Sequence, residues 1–195
     1  MDDFEELQQA PTITCVQHVS NHYKVMITQS FGDVQNYDIA YNTLLEASED
    51  DTIEFVVNTN GGNLYALNQL IAGIQQTEAH TIATITGTAA SCGSMLSLFC
   101  DEIRVLPLGE MLVHYASAGM PVSKISDGIK AATFLSKQME KTFRLCYSGF
   151  LTEEEIIQCL NGTEMHLDSD EINERLERLM EYRESVIESI SATKH

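Results

Sequence analysis

The chain has 195 residues, 44% hydrophobic and 21% charged, enough for one domain with a sizeable core and short for two. With 29 acidic against 11 basic residues its formal charge is −18, which repels nucleic-acid backbones and anionic membrane surfaces and removes both as expected partners. No run approaches the roughly 18 apolar residues that span a bilayer. The start, Met1-Asp2-Asp3-Phe4-Glu5-Glu6, is acidic where a signal peptide is basic and then apolar, so the cytoplasm is the expected compartment.

In chain order, residues 11–17 and 22–29 alternate apolar and polar side chains, as half-buried strands do. Tyr37, Tyr41, Leu44 and Leu45 give 37–47 helical spacing, and 52–58 reads as a strand broken by Asn58-Thr59-Asn60-Gly61-Gly62. Asn63 then caps a helix with Leu64, Leu67, Leu70, Ile71 and Ile74 on its apolar side. Residues 81–86 read as a buried strand turning at Gly87, followed by a helix from Ser91 to about Cys100, and 102–106 and 111–114 as two further strands. From Val122, apolar residues recur every three or four positions (Ile125, Ile129, Ala132, Leu135, Met139, Phe143, Cys146) until Gly149 stops the helix. Thr152-Glu153-Glu154-Glu155 is a capping box, Asn161-Gly162 ends the short helix it opens, and Asp168 and Glu171 open an acidic last helix over 169–192. This alternation predicts a single α/β domain over 1–195, with helices packed on sheet faces.

Two kinds of site drop out. Cys15, Cys92, Cys100, Cys146 and Cys159 form no C-x-x-C pair, so they signal neither zinc nor disulfides and read as small buried hydrophobes. His18 and His22 lie four apart, but Val19 stands where H-E-x-x-H needs glutamate, so no metal is expected.

Three features can carry chemistry. Gly87-Thr88-Ala89-Ala90-Ser91-Cys92-Gly93-Ser94 puts a hydroxyl where a strand meets a helix N-terminus among very small residues; this suits a nucleophile, and suits equally a serine that merely caps the helix. The pair Gly61-Gly62 lets backbone approach a ligand closely, although most such pairs are turns. His114 ends a strand and is either a hydrogen-bonded structural residue or a general base within reach of Ser91.

Order and spacing join these features. Asn58-Thr59-Asn60-Gly61-Gly62, Gly87-Thr88-Ala89-Ala90-Ser91-Cys92-Gly93 and Leu112-Val113-His114-Tyr115-Ala116 resemble the N-S-P-G-G loop, G-x-A-A-S-M-G turn and M-I-H-Q-P strand end of Clp protease proteolytic subunits. In texture the chain is most similar to the phage-encoded members, notably at Gly149-Phe150-Leu151-Thr152. The resemblance implies a spiral of ββα turns, shared with the crotonase-like enoyl-CoA hydratases, and a handle helix at 122–148. It further implies a serine endopeptidase, without cofactor, acting on unfolded polypeptide in the bacterial or phage-host cytoplasm. Homo-oligomeric heptameric rings stacked as a tetradecamer are implied, as is an AAA+ unfoldase of Clp type, although residues 1–21 do not visibly match that partner's docking loops.

Carried over by residue, the resemblance makes Ser91 the nucleophile and His114 the base, with the N–H groups of Gly61 and Cys92 binding the oxyanion and Gly62 and Asn63 the substrate. The third member of the proton relay falls on Glu164, where the family has aspartate, with Asp168 as the alternative. Cys92 stands where the family has methionine, and Asn60 where it has proline. Two rivals stay open: an acyl-CoA hydratase or isomerase on the same fold, and a catalytically silent ring or phage-assembly subunit.

Overall fold

The computed structural model describes residues 19–115 and 125–193, and the strand expected at 11–17 and Cys15 lie outside them. Six strands form one sheet in the order β1-β2-β3-β5-β6, with β4 pairing β3 off that path. The chain order is β1 (His22–Ile27), α1 (Asp38–Glu46), β2 (Thr52–Thr59), α2 (Leu64–Ile74), β3 (His80–Ala90), α3 (Cys92–Ser97), β4 (Glu102–Val105), β5 (Glu110–Val113), α4 (Ile125–Tyr147), α5 (Glu153–Leu160), β6 (Met165–Leu167) and α6 (Ser169–Thr193). All pairings are parallel except β5 with β6.

The period of two in β2 decides which face is covered. Ile53, Phe55 and Val57 are fully buried and join Leu44, Leu67 and Leu70 from α1 and α2 in one core. Each such side chain contributes roughly 1.5–3 kcal/mol relative to exposure. On the opposite face Glu54 receives Thr84 Oγ1 at 2.7 Å, His22 Nε2 at 3.0 Å and Lys24 Nζ at 3.2 Å. The helices therefore cover one face of β1–β3 rather than both. The expected capping residues hold: Asn63 accepts from Tyr65 N–H at 2.9 Å, and Thr152 and Glu155 form the capping box of α5.

One strand end differs from expectation. Gly87 does not turn the chain, because β3 runs on to Ala90, pairing first with β4 (Ile82–Ile85) and then with β5 (Thr88–Ala90). A Cβ at Gly87 would lie 2.6 Å from Asn58 Oδ1, and that oxygen accepts from Thr88 N–H at 3.1 Å. The glycine thus makes room for an asparagine at an irregularity in β2. The following helix is also shorter than expected, ending at Ser97.

The handle stripe becomes the 23-residue α4, and α6 spans 25 residues. Arg183, which interrupts the apolar stripe of α6, turns inward and donates to the Leu98 carbonyl at 2.6 Å and the Cys100 carbonyl at 3.0 Å. It satisfies acceptors that the end of α3 leaves over. Arg175 pairs with Glu155 at 2.8 Å, joining α6 to α5.

Candidate active site

Ser91 follows the last residue of β3 and precedes α3, and its N–H donates to the Leu112 carbonyl of β5 at 2.9 Å. Its backbone has φ 54° and ψ −114°, and it is the only non-glycine residue with positive φ among those described. Such a conformation costs about 1–3 kcal/mol and persists only where the surroundings impose it. Here they do: the Ser91 carbonyl takes hydrogen bonds from Met95 N–H at 3.1 Å and Ser94 Oγ at 2.7 Å, and Ser94 Oγ bonds the buried Tyr147 hydroxyl of α4. Ser91 holds the N-cap position of α3, but its hydroxyl makes no capping bond to the helix.

Gly61 sits behind that turn. At φ 89°, a Cβ on it would lie 2.7 Å from Ser91 Cβ and 3.1 Å from Cys92 N, so no other residue brings this backbone so near Ser91. Phe31 N–H donates to the Gly61 carbonyl at 2.8 Å and Asn63 N–H to the Phe31 carbonyl at 2.9 Å. This bridge turns the N–H and carbonyl of Gly62 to the opposite edge. The Asn63 carbonyl also receives Leu67 N–H at 3.2 Å, and its side-chain oxygen caps α2.

Cys92 opens α3, where a first-turn N–H has no acceptor within the helix. Its side chain is fully buried, and its thiol donates to the Gly62 carbonyl at 3.3 Å. Burial pushes the thiol's pKa up, against the opposing pull of its bonds to Gly62 and Ser91. A thiol held protonated is a poor nucleophile.

His114 is half-buried, one residue beyond β5. It makes no hydrogen bond to Ser91 in this structure. The antiparallel β5–β6 register pairs Leu112 with His166 and Val113 with Met165; His114 and Glu164 lie just beyond these pairs, with no hydrogen bond or ion pair between their side chains. The Glu164 carboxylate lies 4.0 Å from His166 Nε2. Asp168 is committed elsewhere, its carboxylate capping α6 by accepting Asp170 N–H at 3.0 Å and Glu171 N–H at 2.9 Å. Below the site a groove of about 490 Å³ is lined by Asn60, Thr88, Ala90, Glu110 and His166, among others.

Residues that the sequence did not single out are Thr59, Ser94, Tyr147 and His166. Thr59 and Ser94 lie inside the quoted motifs, but nothing in a linear pattern ties Tyr147 to Ser94 across 53 residues.

A family model described as Clp protease matches residues 8–155. The match takes in Gly61, Ser91, Cys92 and His114 and stops short of Glu164. No curated protein matches the chain.

Proposed function

Because the chain belongs to the Clp protease family, a family of peptidases, we propose that it is a serine endopeptidase subunit with Ser91 as nucleophile and His114 as general base. The strained backbone of Ser91, φ 54° at the junction of β3 and α3, is the observation that carries this reading. It holds a hydroxyl clear of helix capping at the end of a strand, where a carbonyl can reach it.

Ser91 Oγ attacks the carbonyl carbon of the scissile peptide while its proton passes to His114. The C–N bond then breaks, the amine leaves with that proton, and water, deprotonated in turn by His114, hydrolyses the ester. Glu164, one register step beyond the paired residues of β5 and β6, orients the imidazole. The N–H groups of Gly61 and Cys92 take the developing oxyanion, the former on leaving Thr59 Oγ1, to which it donates at 3.1 Å. The outer edge of Gly62 receives the substrate backbone, and Asn63 anchors that edge to α2. This chemistry uses neither metal nor organic cofactor.

The substrate is unfolded polypeptide, hydrolysed inside stacked heptameric rings in the cytoplasm, with a separate AAA+ unfoldase as partner. Exposed Ile129 and Phe134 on α4 support contacts between copies. The silent-subunit reading draws on the missing Ser91–His114 bond. A fluorophosphonate probe separates the two: wild type is expected to take label and Ser91→Ala none. An assembled ring that stays unlabelled overturns the protease reading.

A further inference from the structure

Beneath the Ser91 turn lies a buried pair of hydroxyls that the mechanism above does not use. Ser94 and Tyr147 are fully buried, and their oxygens are hydrogen-bonded across 53 residues of chain. Ser94 Oγ also donates to the Ser91 carbonyl at 2.7 Å, with the Leu112 carbonyl, at 3.5 Å, a second acceptor in its reach. A serine hydroxyl has one proton. With that proton on the Ser91 carbonyl, Ser94 presents a lone pair to Tyr147, and the tyrosine is the donor. Burial pushes the Tyr147 pKa up, so the phenol keeps the proton that it donates. The hydrogen bonds therefore run one way, from Tyr147 to Ser94 to the Ser91 carbonyl.

The Ser91 carbonyl is one end of a planar peptide whose other end is the Cys92 N–H, and the two point in opposite directions. Bonds that fix the carbonyl therefore fix the aim of the N–H. Met95 N–H, at 3.1 Å, supplies one of them as part of α3, and Ser94 supplies the other. We propose that Ser94 and Tyr147 are positioning residues that aim and polarise the Ser91–Cys92 peptide, so that the Cys92 N–H meets the oxyanion. This rests on the protease reading. Each hydroxyl in the chain polarises the next, and the last draws electron density onto the carbonyl oxygen, which makes the N–H a stronger donor. The effect is largest when negative charge develops opposite that N–H, in the transition state. Tyr147 is the last residue of α4, so the nucleophile turn is braced from an element remote from it in sequence.

The test is the rate at which a fluorophosphonate modifies Ser91, since that transition state also puts negative charge on an oxygen facing the donor. Ser94→Ala removes the bond to the carbonyl and is expected to react roughly fivefold more slowly than wild type, the scale of one neutral hydrogen bond. Tyr147→Phe keeps the ring against Phe143 and loses only the hydroxyl, so it too should slow the reaction. In a Ser94→Ala background Tyr147→Phe should change nothing further, because the tyrosine acts through Ser94. With a peptide substrate, each single variant should lower kcat and leave KM unchanged, as loss of an interaction made in the transition state does. Should Ser94→Ala fail to fold, Ser94→Cys, a weaker donor, takes its place. The inference is overturned if either single variant folds and reacts at the wild-type rate, if KM rises at constant kcat, or if Tyr147→Phe slows both backgrounds equally. Ser91 labelling, and the protease reading, would stand in each of those cases. Absence of Ser91 labelling in the wild type sinks the reading itself.

Discussion

Glu164 and Asp168 are four residues apart and differ in what their carboxylates already do. Asp168 accepts two backbone N–H groups at the start of α6, whereas Glu164 is exposed and its carboxylate lies 4.0 Å from His166 Nε2. Glu164→Gln is therefore expected to lower kcat on an unfolded casein substrate by about a hundredfold or more, as loss of an imidazole-orienting carboxylate does in serine hydrolases. Asp168→Asn keeps a good capping side chain and should remain near wild type; the opposite ranking would move the relay to Asp168. Asp51 shows the same physics away from the site. Ser48 N–H and Asn21 N–H, at 2.9 and 2.7 Å, lead the bonds that lower its pKa from 3.8 to about 2. A group depressed on folding stabilises the fold above its unfolded pKa and loses that contribution as pH falls through the folded value. Urea midpoints should thus drop between pH 4 and 2, and less steeply in Asp51→Asn.

At the scale of elements, α6 is held by side chains that read as interruptions in its sequence. Arg183 spans from the middle of α6 to two carbonyls at the end of α3, and desolvation lowers its pKa while it does so. Arg183→Met should cost about 2 kcal/mol in urea unfolding, the scale of hydrogen bonds from a charged donor. No loss would mean that solvent serves those carbonyls equally well. The helices themselves were legible because caps and apolar spacing are local: Asn63, Thr152 and Gly149 sit where the sequence placed them. Gly87 was misplaced as a turn. Its role depends on Asn58, 29 residues earlier, and only pairing of β2 with β3 reveals it.

For the whole molecule, α4 carries the prediction. Ile129 and Phe134 are 63% and 66% exposed, a large apolar presence for a helix in an isolated chain. Phe134→Glu should shift the mass measured by light scattering towards smaller assemblies, and wild type that is monomeric at all concentrations would remove α4 as an interface. What the sequence determined by itself was the set of local choices: an α/β alternation, the capped helices, and three short motifs whose order marks the family. Ser91, His114 and Gly61 were nameable because small residues at a strand end leave a signature in neighbouring letters. The tertiary structure decided what depends on partners far apart in the chain. It decided the strain at Ser91, held from Leu112 and, through Ser94, from Tyr147. The β5–β6 register pairs Leu112 with His166 and Val113 with Met165, and the fold gives Gly61 N–H its acceptor in Thr59. Backbone conformation and hydrogen-bond direction are properties of packed neighbours, and no local pattern encodes them.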